Sequence, residues 1–500
     1  MPGVLFPLTE KGDRGTTPFN KAAWQAVAES LGCQDLAQAI GAEKEWRKKY
    51  KDHIEVVTES LAVMSVLDSG KAAKACQAGI EKARAMVTDS ELSLAEAMAA
   101  AAPAFSTATV KGDKPAKDEV VLPYHGAELR GPELDAQCDK WVEAGTIEPA
   151  CGAAIKASAP KLGAVRSRTF LVLGASSELG PVRPLLEAGA TVAAVMRPSS
   201  GRWRELVAFA RGTAGTLLAP LPADKSQGTD EEVAEKVGAD LLQDGPGVLE
   251  WLLRCGREAT GPVTLCTYLY ADGEANVRLT AVADFIAEVL ARELGSARLS
   301  FAYLASGSTS HMLPDEVHQA QGDNYATANT WAKTFGTRLD CQPSVQGAKL
   351  WAANHPTSEA AKYHFFRGIA ELQGPNYALA QYMRQWRAEI LHLQGFTVSS
   401  PVTPNCRTES VVHNATMRVI LEGLAYWKPM ESFDPDTARM AMLAVLISDL
   451  TDAPAKHVSP MHIFSHKAFH SGLWRCPFDL SSLGITTWVL GRVSPRKRPL

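Results

Sequence analysis

The sequence lacks the features that mark several large classes of protein. Its nine cysteines are scattered and form no C-x-x-C pair, so neither a disulfide framework nor a cysteine zinc site is indicated. No apolar run approaches the roughly 20 residues of a membrane helix, and the first residues, MPGVLFPLTEKGDRG, lack the long apolar core of a signal peptide. These absences predict a protein with no transmembrane segment and a cytoplasmic location, with an organelle as the alternative.

The chain also lacks an excess of basic charge. Its formal net charge is -4, although Arg496, Lys497 and Arg498 form a basic cluster near the end. Nucleic-acid binding normally requires a concentrated basic face, so nucleic acid is not expected as the main partner. With 500 residues, of which 46% are hydrophobic, the chain can bury at least one large core, and we expect two or three structural units.

Changes in hydrophobic periodicity and polarity divide the chain into five stretches. These are a helical N-terminal domain, 1–105; a polar linker, 106–120; two short docking helices, 121–162; a stretch of alternating strands and helices, 163–466, with an insertion at 306–375; and a C-terminal extension, 467–500. The helical N-terminal domain is the expected site of a protein partner or of contact between copies of the chain.

The alternating stretch predicts an α/β fold, a doubly wound parallel sheet with helices on both faces. The expected strands are 170–173, 192–196, 215–219, 263–270, 299–305, 396–400 and a last one at MHIF, 461–464. In the insertion, 306–375, we expect two helices and no strand. Because this insertion follows the carboxyl end of a strand, it is a candidate lid or substrate wall.

A glycine-containing turn lies between the first two expected strands. GASSELG, 174–180, follows a buried apolar run and precedes an apolar-faced helix. The first glycine permits a tight turn, and the last lets the helix start close to the sheet, where free backbone N–H groups can hold a phosphate. The turn therefore predicts a Rossmann-like dinucleotide site. Its candidate contacts are Gly174, Ser176, Ser177, Leu179 and Gly180.

The order of these segments resembles the short-chain dehydrogenase/reductase family over roughly residues 165–466. GASSELG is similar to that family's G-x-x-x-G-x-G turn. NYALAQYMRQWRAEILHLQGFTVSSPVTP, 376–404, resembles its catalytic helix, sixth strand and proline loop, and 434–452 resembles the helix before its last strand. The resemblance implies NAD(P)-dependent hydride transfer to or from a carbonyl or alcohol of a small molecule, which we expect to be fairly apolar.

The resemblance also implies a catalytic set. Tyr377 takes the position of the family's acid/base tyrosine, and Ser306, with Ser308 as the alternative, takes that of the serine that polarises the carbonyl. The position of the family's asparagine is assigned to Arg278, with Asn276 two residues away. These residues are the candidate catalytic groups, together with Gln381, which occupies the position of the family's lysine.

Two positions depart from the family pattern. Glu178 replaces the middle glycine of the turn and places a side chain where the backbone would approach the pyrophosphate. Gln381 is neutral, whereas a phenol exchanges protons at neutral pH only if a nearby positive charge stabilises the phenolate. Arg384, a turn further along, is the candidate replacement for that charge. The alternative hypothesis is a non-catalytic Rossmann subunit that binds a partner or serves as a scaffold.

The cofactor preference is predicted from the end of the second strand. Arg197 lies there, and a basic residue at this position favours the 2'-phosphate of NADP(H), with NAD(H) as the alternative. Arg202 and Arg204 are candidate assistants.

Two further sets of residues recur every four positions. The stretch 323–333, DNYATANTWAK, would set a tyrosine, an asparagine and a lysine on one helical stripe and is a rival acid/base helix. His462, His466 and His470 would form a face for zinc or iron if they lay on one helix. A metal-dependent enzyme is therefore a third hypothesis, against which MHIF is expected to be a strand that breaks the histidine set.

Overall fold

The computed structural model describes residues 3–88, 91–100, 104–354, 363–370, 373–453 and 459–493. The strands are β1 Val4–Leu5, β2 Val87–Thr88, β3 Phe105–Lys111, β4 Leu122–Tyr124, β5 Ala127–Leu129, β6 Thr169–Leu173, β7 Thr191–Val195, β8 Thr216–Pro222, β9 Val263–Thr267, β10 Leu299–Ala302, β11 Ala305–Ser306, β12 His311–Leu313, β13 His364–Phe366, β14 Thr397–Ser399 and β15 Val402–Thr403. The helices are α1 Thr16–Leu31, α2 Gln34–Ala42, α3 Trp46–Leu67, α4 Ser69–Ala83, α5 Leu94–Ala99, α6 Gly131–Glu143, α7 Pro149–Ser158, α8 Val182–Glu187, α9 Ser200–Arg211, α10 Asp230–Lys236, α11 Gly245–Glu258, α12 Glu274–Leu294, α13 Asp315–Thr327, α14 Thr330–Phe335, α15 Val345–Asn354, α16 Gly374–Leu393, α17 Glu409–Val412, α18 Ala415–Gly423, α19 Pro435–Thr451, α20 His462–Ser465 and α21 Leu480–Val493.

Seven of these strands form one central sheet, in the order β14-β10-β9-β6-β7-β8-β3. Six of the seven are parallel, and β3 pairs antiparallel with β8 at one edge. The chain begins the parallel part at β6, continues outward through β7 and β8, and returns to the other side of β6 at β9. This strand order makes the protein a mixed α/β structure compatible with a Rossmann-like fold. The six parallel strands confirm the parallel sheet that was predicted from the sequence.

Side chains of the parallel strands alternate between two cores. Leu171 and Leu173 of β6 belong to the core that includes α11, α12 and α16. Phe170 and Val172 of the same strand belong to a second core that includes α7, α8 and α19. Because successive side chains of a strand point to opposite faces, an uninterrupted apolar run is what a sheet covered on both faces requires.

The N-terminal helices share the first of these cores with the sheet. Gly79 of α4 lies against α16, and a Cβ at this position would lie 2.7 Å from the ring of Trp386. Arg84 of α4 donates hydrogen bonds to Asp284 and Glu288 of α12 at 3.2 and 2.6 Å. The helices predicted for this stretch are present, and they cover α12 and α16.

The linker predicted at 106–120 is wrong over its first part. Residues 105–111 form β3, which pairs with β8 from Phe105 opposite Pro222 to Lys111 opposite Thr216. Ala108 and Val110 are buried, whereas Thr107 and Thr109, which alternate with them, are half-buried. The stretch is polar because an edge strand needs apolar side chains on only one face, and its partner lies more than a hundred residues away in the chain.

Two further predictions were wrong. The last strand expected at MHIF is the helical turn α20, in which the His466 N–H donates to the carbonyl of His462 at 2.8 Å. In the described part of the insertion at 306–375 lie helices α13, α14 and α15, and its strands β12 and β13 pair antiparallel. These two strands have three residues each and are far apart in sequence, so no local alternation marks them. None of the described helices is long and apolar enough to span a bilayer.

Candidate functional site

The candidate acid/base tyrosine lies at the start of α16, beside the loop that follows β10. Tyr377, Ser308, Gln373, Tyr382 and, from the N-terminal helix α3, Tyr50 line a small cavity that opens to solvent. This cavity therefore combines residues of the parallel sheet region with one from the N-terminal helices.

Of the two serine candidates, Ser308 is the one that lines the cavity. The Oγ atoms of Ser306 and Ser308 are 2.8 Å apart, and the Ser308 hydroxyl donates to Gln373 Oε1 at 2.9 Å. Ser306 belongs to β11 and contacts Ser308 without lining the cavity itself. The serine beside the cavity is thus Ser308, the alternative that the sequence left open.

Tyr377 is half-buried, and its hydroxyl makes no hydrogen bond to a described residue. Two turns further along α16, Arg384 is 8% exposed. Its Nη2 donates to Asn276 Oδ1 at 2.7 Å and to Thr280 Oγ1 at 3.0 Å. Both partners are neutral residues of α12, so the guanidinium keeps its charge without a carboxylate among the described residues.

Burial lowers the pKa of Arg384 to about 10, and the phenols of Tyr377 and Tyr303 act in the opposite direction. The guanidinium therefore stays positive at neutral pH and lies within electrostatic range of the Tyr377 hydroxyl. Arg384 thus supplies the positive charge that the neutral Gln381 cannot.

Neither Gln381 nor Arg278 lines the cavity beside Tyr377. Gln381 is buried, and its Oε1 has no hydrogen-bond partner among the described residues. Arg278 donates to the carbonyl of Val4 at 3.1 Å and lies 3.3 Å from Glu274 Oε1, and the catalytic role assigned to it stays a prediction. It is Asn276, half a helical turn away, that faces the site, because α12 turns that side toward α16.

The glycine turn connects β6 to the short helix α8. Gly174 has a φ of 85°, and a Cβ there would lie 2.8 Å from the Tyr268 carbonyl oxygen, so only glycine fits. The N–H of Ser177 donates to the Gly174 carbonyl and the N–H of Gly180 to the Ser177 carbonyl, both at 3.0 Å. Ser176 is exposed and Leu179 half-buried on the surface of the turn.

Glu178 joins this turn to the segments that follow β14. Its Oε2 accepts a hydrogen bond from the N–H of Glu409 at 2.6 Å, and its carbonyl accepts one from Arg439 Nη1 at 2.8 Å. Sequence reasoning missed Arg439, which lies on α19 and carries no local signal. The tight turn and the arginine fit a pyrophosphate, whereas the carboxylate of Glu178 opposes one, with part of its charge offset by the Glu409 N–H.

The strand end that was expected to select the cofactor carries an exposed arginine. Arg197 directly follows Met196 at the end of β7 and is exposed, so its guanidinium is available to a phosphate. Arg204, by contrast, lies 2.8 Å from Glu231 in an ion pair. Of these two arginines, Arg197 is the better candidate for a 2'-phosphate contact.

The rival helix at 323–333 is not one helix. Tyr325 lies on α13, and Lys333 lies on α14. Asn329 caps α14 by accepting a hydrogen bond from the Ala332 N–H at 2.8 Å. Asn329 therefore starts a new helix, and the three residues do not share one helical stripe, although Lys333 Nζ lies 5.3 Å from the centroid of the Tyr325 ring.

The three candidate histidines do not form one face. His470 is buried, and its Nε2 lies 2.8 Å from Glu148 Oε1, which also binds Arg475. His462 belongs to α20, which ends before His466. In the described parts of the chain, no group of three or more His, Cys, Asp or Glu side chains is placed to hold a metal ion.

Comparisons of the chain with protein-family models, with curated proteins and with solved structures found no match. The class is therefore defined by the fold alone, as a mixed α/β protein with a seven-stranded, mostly parallel central sheet.

Proposed function

We propose that the chain is an NADP(H)-dependent oxidoreductase of the short-chain dehydrogenase/reductase type, acting on the carbonyl or alcohol of a fairly apolar small molecule. One observation carries the proposal. The hydroxyl of Tyr377 makes no hydrogen bond to a described residue and lies near Arg384, a buried cation with neutral partners. A phenol with no partner among the described residues, within electrostatic range of a buried cation, is suited to act as a proton donor to a substrate oxygen.

Three residues have a role in the proposal. Tyr377 gives a proton to the substrate oxygen during reduction and takes it back during oxidation. Arg384 stabilises the phenolate that forms when the proton leaves. The Ser308 hydroxyl, which donates to Gln373 in the structure, would turn to donate a hydrogen bond to the same substrate oxygen. A bound nicotinamide supplies or accepts the hydride.

The turn 174–180 would hold the pyrophosphate of the cofactor through its backbone N–H groups. Arg439 contacts the Glu178 carbonyl beside the turn, and its charge is paired with that of Asp436. Arg197 would pair with the 2'-phosphate and so favour NADP(H) over NAD(H).

The test begins with titration of the purified full-length chain with NADPH and with NADH. Nicotinamide fluorescence and the shift in melting temperature report binding. We expect both to bind and NADPH to bind more tightly. Arg197→Ala should remove most of this preference, whereas the matched control Arg204→Ala should keep it, because Arg204 is paired with Glu231. NADPH oxidation is then measured with a panel of aliphatic and aromatic aldehydes and ketones. No binding of either nucleotide at about 1 mM contradicts the proposal.

A second candidate is a non-catalytic subunit that binds a partner or serves as a scaffold. It is favoured by the contact between the Glu178 carboxylate and the Glu409 N–H, which closes the turn with the protein's own atoms. Glu178→Gly separates the two functions. If this variant binds NADPH about tenfold more tightly than the parent chain, the turn is a working cofactor site that Glu178 weakens. If neither chain binds a nucleotide, the non-catalytic function is favoured.

A further inference from the structure

The N-terminal helices supply part of the wall of the cavity beside Tyr377. Tyr50 of α3 lines this cavity and is 1% exposed. Its hydroxyl donates to the carbonyl of Ala370 at 3.4 Å, and Ala370 lines the cavity as well. Because the hydroxyl is bound to the protein backbone, the aromatic ring is the part of Tyr50 that remains to contact a ligand.

A single buried side chain connects the helix of Tyr50 with the helix of Tyr377. Asn20 of α1 is 1% exposed, accepts a hydrogen bond from Trp46 Nε1 at 3.1 Å and donates one to the Pro375 carbonyl at 2.9 Å. Trp46 lies about one helical turn before Tyr50 on α3. Pro375 lies two residues before Tyr377 on α16. The two tyrosines are therefore held at a fixed separation.

A second set of contacts ties α3 to the loop before α16. Glu59 of α3 is fully buried, and its Oε1 accepts hydrogen bonds from the Tyr363 hydroxyl and the Ser344 N–H, both at 2.8 Å. Its Oε2 lies 3.3 Å from Arg367 Nη2. Two residues after this arginine comes Ile369, which lines the cavity. The helix that carries Tyr50 is thus bonded to both neighbouring parts of the cavity wall.

The described wall offers mainly apolar contacts around the hydroxyl of Tyr377. Ile369, Ala370 and Ala378 contribute aliphatic groups. Tyr382 contributes its ring, because its hydroxyl accepts a hydrogen bond from the Ser310 N–H at 2.9 Å. An apolar pocket discriminates by size, since one methylene more or less changes selectivity roughly 10- to 200-fold. A fixed aromatic ring in the wall of a small cavity therefore limits what can enter.

We propose that Tyr50 determines the size of the substrate. Its ring admits small straight-chain carbonyl compounds to the cavity and excludes those with a ring next to the carbonyl carbon. The proposal rests on the oxidoreductase function proposed above and names the substrate class of the same site. It also gives the N-terminal helices a part in substrate selection, in addition to covering α12 and α16.

The test compares kcat/KM for propanal and for benzaldehyde, measured by NADPH oxidation in the purified full-length chain and in Tyr50→Ala. We expect the parent to prefer propanal. Removal of the ring should raise the ratio of benzaldehyde to propanal about tenfold or more. This ratio reports selection alone, because a loss of folded protein lowers both rate constants equally.

Three further variants separate selection from stability. Tyr50→Leu leaves a smaller void than alanine and should shift the ratio in the same direction at a lower cost in stability. Tyr50→Phe keeps the ring and should keep the ratio of the parent. Tyr124→Leu shortens a half-buried tyrosine that packs on the other core, so it is the matched control and should also keep this ratio.

The outcomes distinguish this proposal from the function on which it rests. If the parent reduces propanal and the alanine and leucine variants keep its ratio, the role of Tyr50 is overturned while the oxidoreductase function stands. A parent that reduces benzaldehyde as readily as propanal has the same consequence. If the parent reduces neither aldehyde, the proposed substrate class is wrong, and a failure to bind NADPH would then overturn the oxidoreductase function as well.

Discussion

Two buried arginines on α16 have opposite surroundings. Arg387 is 3% exposed, and its guanidinium donates two hydrogen bonds to Asp284, at 2.7 and 3.0 Å. Burial by itself lowers the pKa of Arg387, but the ion pair with Asp284 outweighs burial and holds the pKa above its ordinary value. Arg384, one turn earlier, has only neutral hydrogen-bond partners, and burial lowers its pKa to about 10.

The difference separates a structural charge from a functional one. Asp284 also accepts a hydrogen bond from Arg84 of α4, so the Arg387 pair connects α16 and α12 to the N-terminal helices. Arg384 connects nothing of opposite charge. A buried cation without an anion costs stability, and such groups concentrate where the charge is used. We therefore assign Arg387 to the fold, whereas Arg384 is the charge that the proposed function uses beside Tyr377.

Tyr377→Phe should give the largest effect. It removes the proton donor and should lower kcat for the carbonyl substrate about a thousandfold, within the range of general acid catalysis. The Kd for NADPH and the melting temperature should not change, because the hydroxyl has no hydrogen-bond partner among the described residues. Steady-state kinetics and titration measure both. An unchanged rate would move the chemistry to another residue and remove the role given to Arg384.

Arg387→Met should act on stability. It leaves the buried Asp284 with Arg84 as its remaining partner, so we expect a loss of about 3 kcal/mol in the free energy of unfolding, the low end for a broken buried pair. Urea unfolding measures the loss. Once corrected for the folded fraction, kcat should stay close to that of the parent. If activity falls and stability does not, the two arginines have been assigned the wrong way round.

Glu389 is a buried carboxyl on the same helix, and it avoids an uncompensated charge by remaining protonated at neutral pH. Burial raises its pKa to about 8, with a small opposing effect from Cys76. Because the folded-state pKa exceeds the unfolded value, this group favours folding at low pH, and its contribution declines by about 1.4 kcal/mol per pH unit between about 4.5 and 8. Glu389→Gln should remove this part of the pH dependence. Urea unfolding of the parent and the variant at pH 5 and at pH 7 measures this pH dependence. If the free energy of unfolding changes equally between the two pH values in both proteins, the prediction is contradicted.

Most of the central sheet could be predicted from the sequence, because each parallel strand is a short apolar run between a helix and a turn. β3 could not, since its alternation is weak and it is defined by pairing with β8. The turn into α20 was also missed, because four apolar residues fit a strand or a helix equally well.

The candidate site was predictable only in part. Tyr377 was found through the resemblance of its helix to a known pattern. The pairing of Arg384 with Asn276 depends on how α12 and α16 pack, and the approach of Arg439 to Glu178 joins residues 261 positions apart. Contacts between elements so distant in sequence leave no local periodicity.

The most direct test of the central claim is the rate of two variants at one position. Arg384→Lys keeps a positive charge beside Tyr377, and Arg384→Met keeps most of the side-chain volume without the charge. We expect Arg384→Met to lower kcat about tenfold to a hundredfold, with a change of less than about 1 kcal/mol in the free energy of unfolding. Arg384→Lys should recover most of the lost rate. Equal rates for the lysine and methionine variants would contradict the claim that the charge of Arg384 serves the proton exchange of Tyr377.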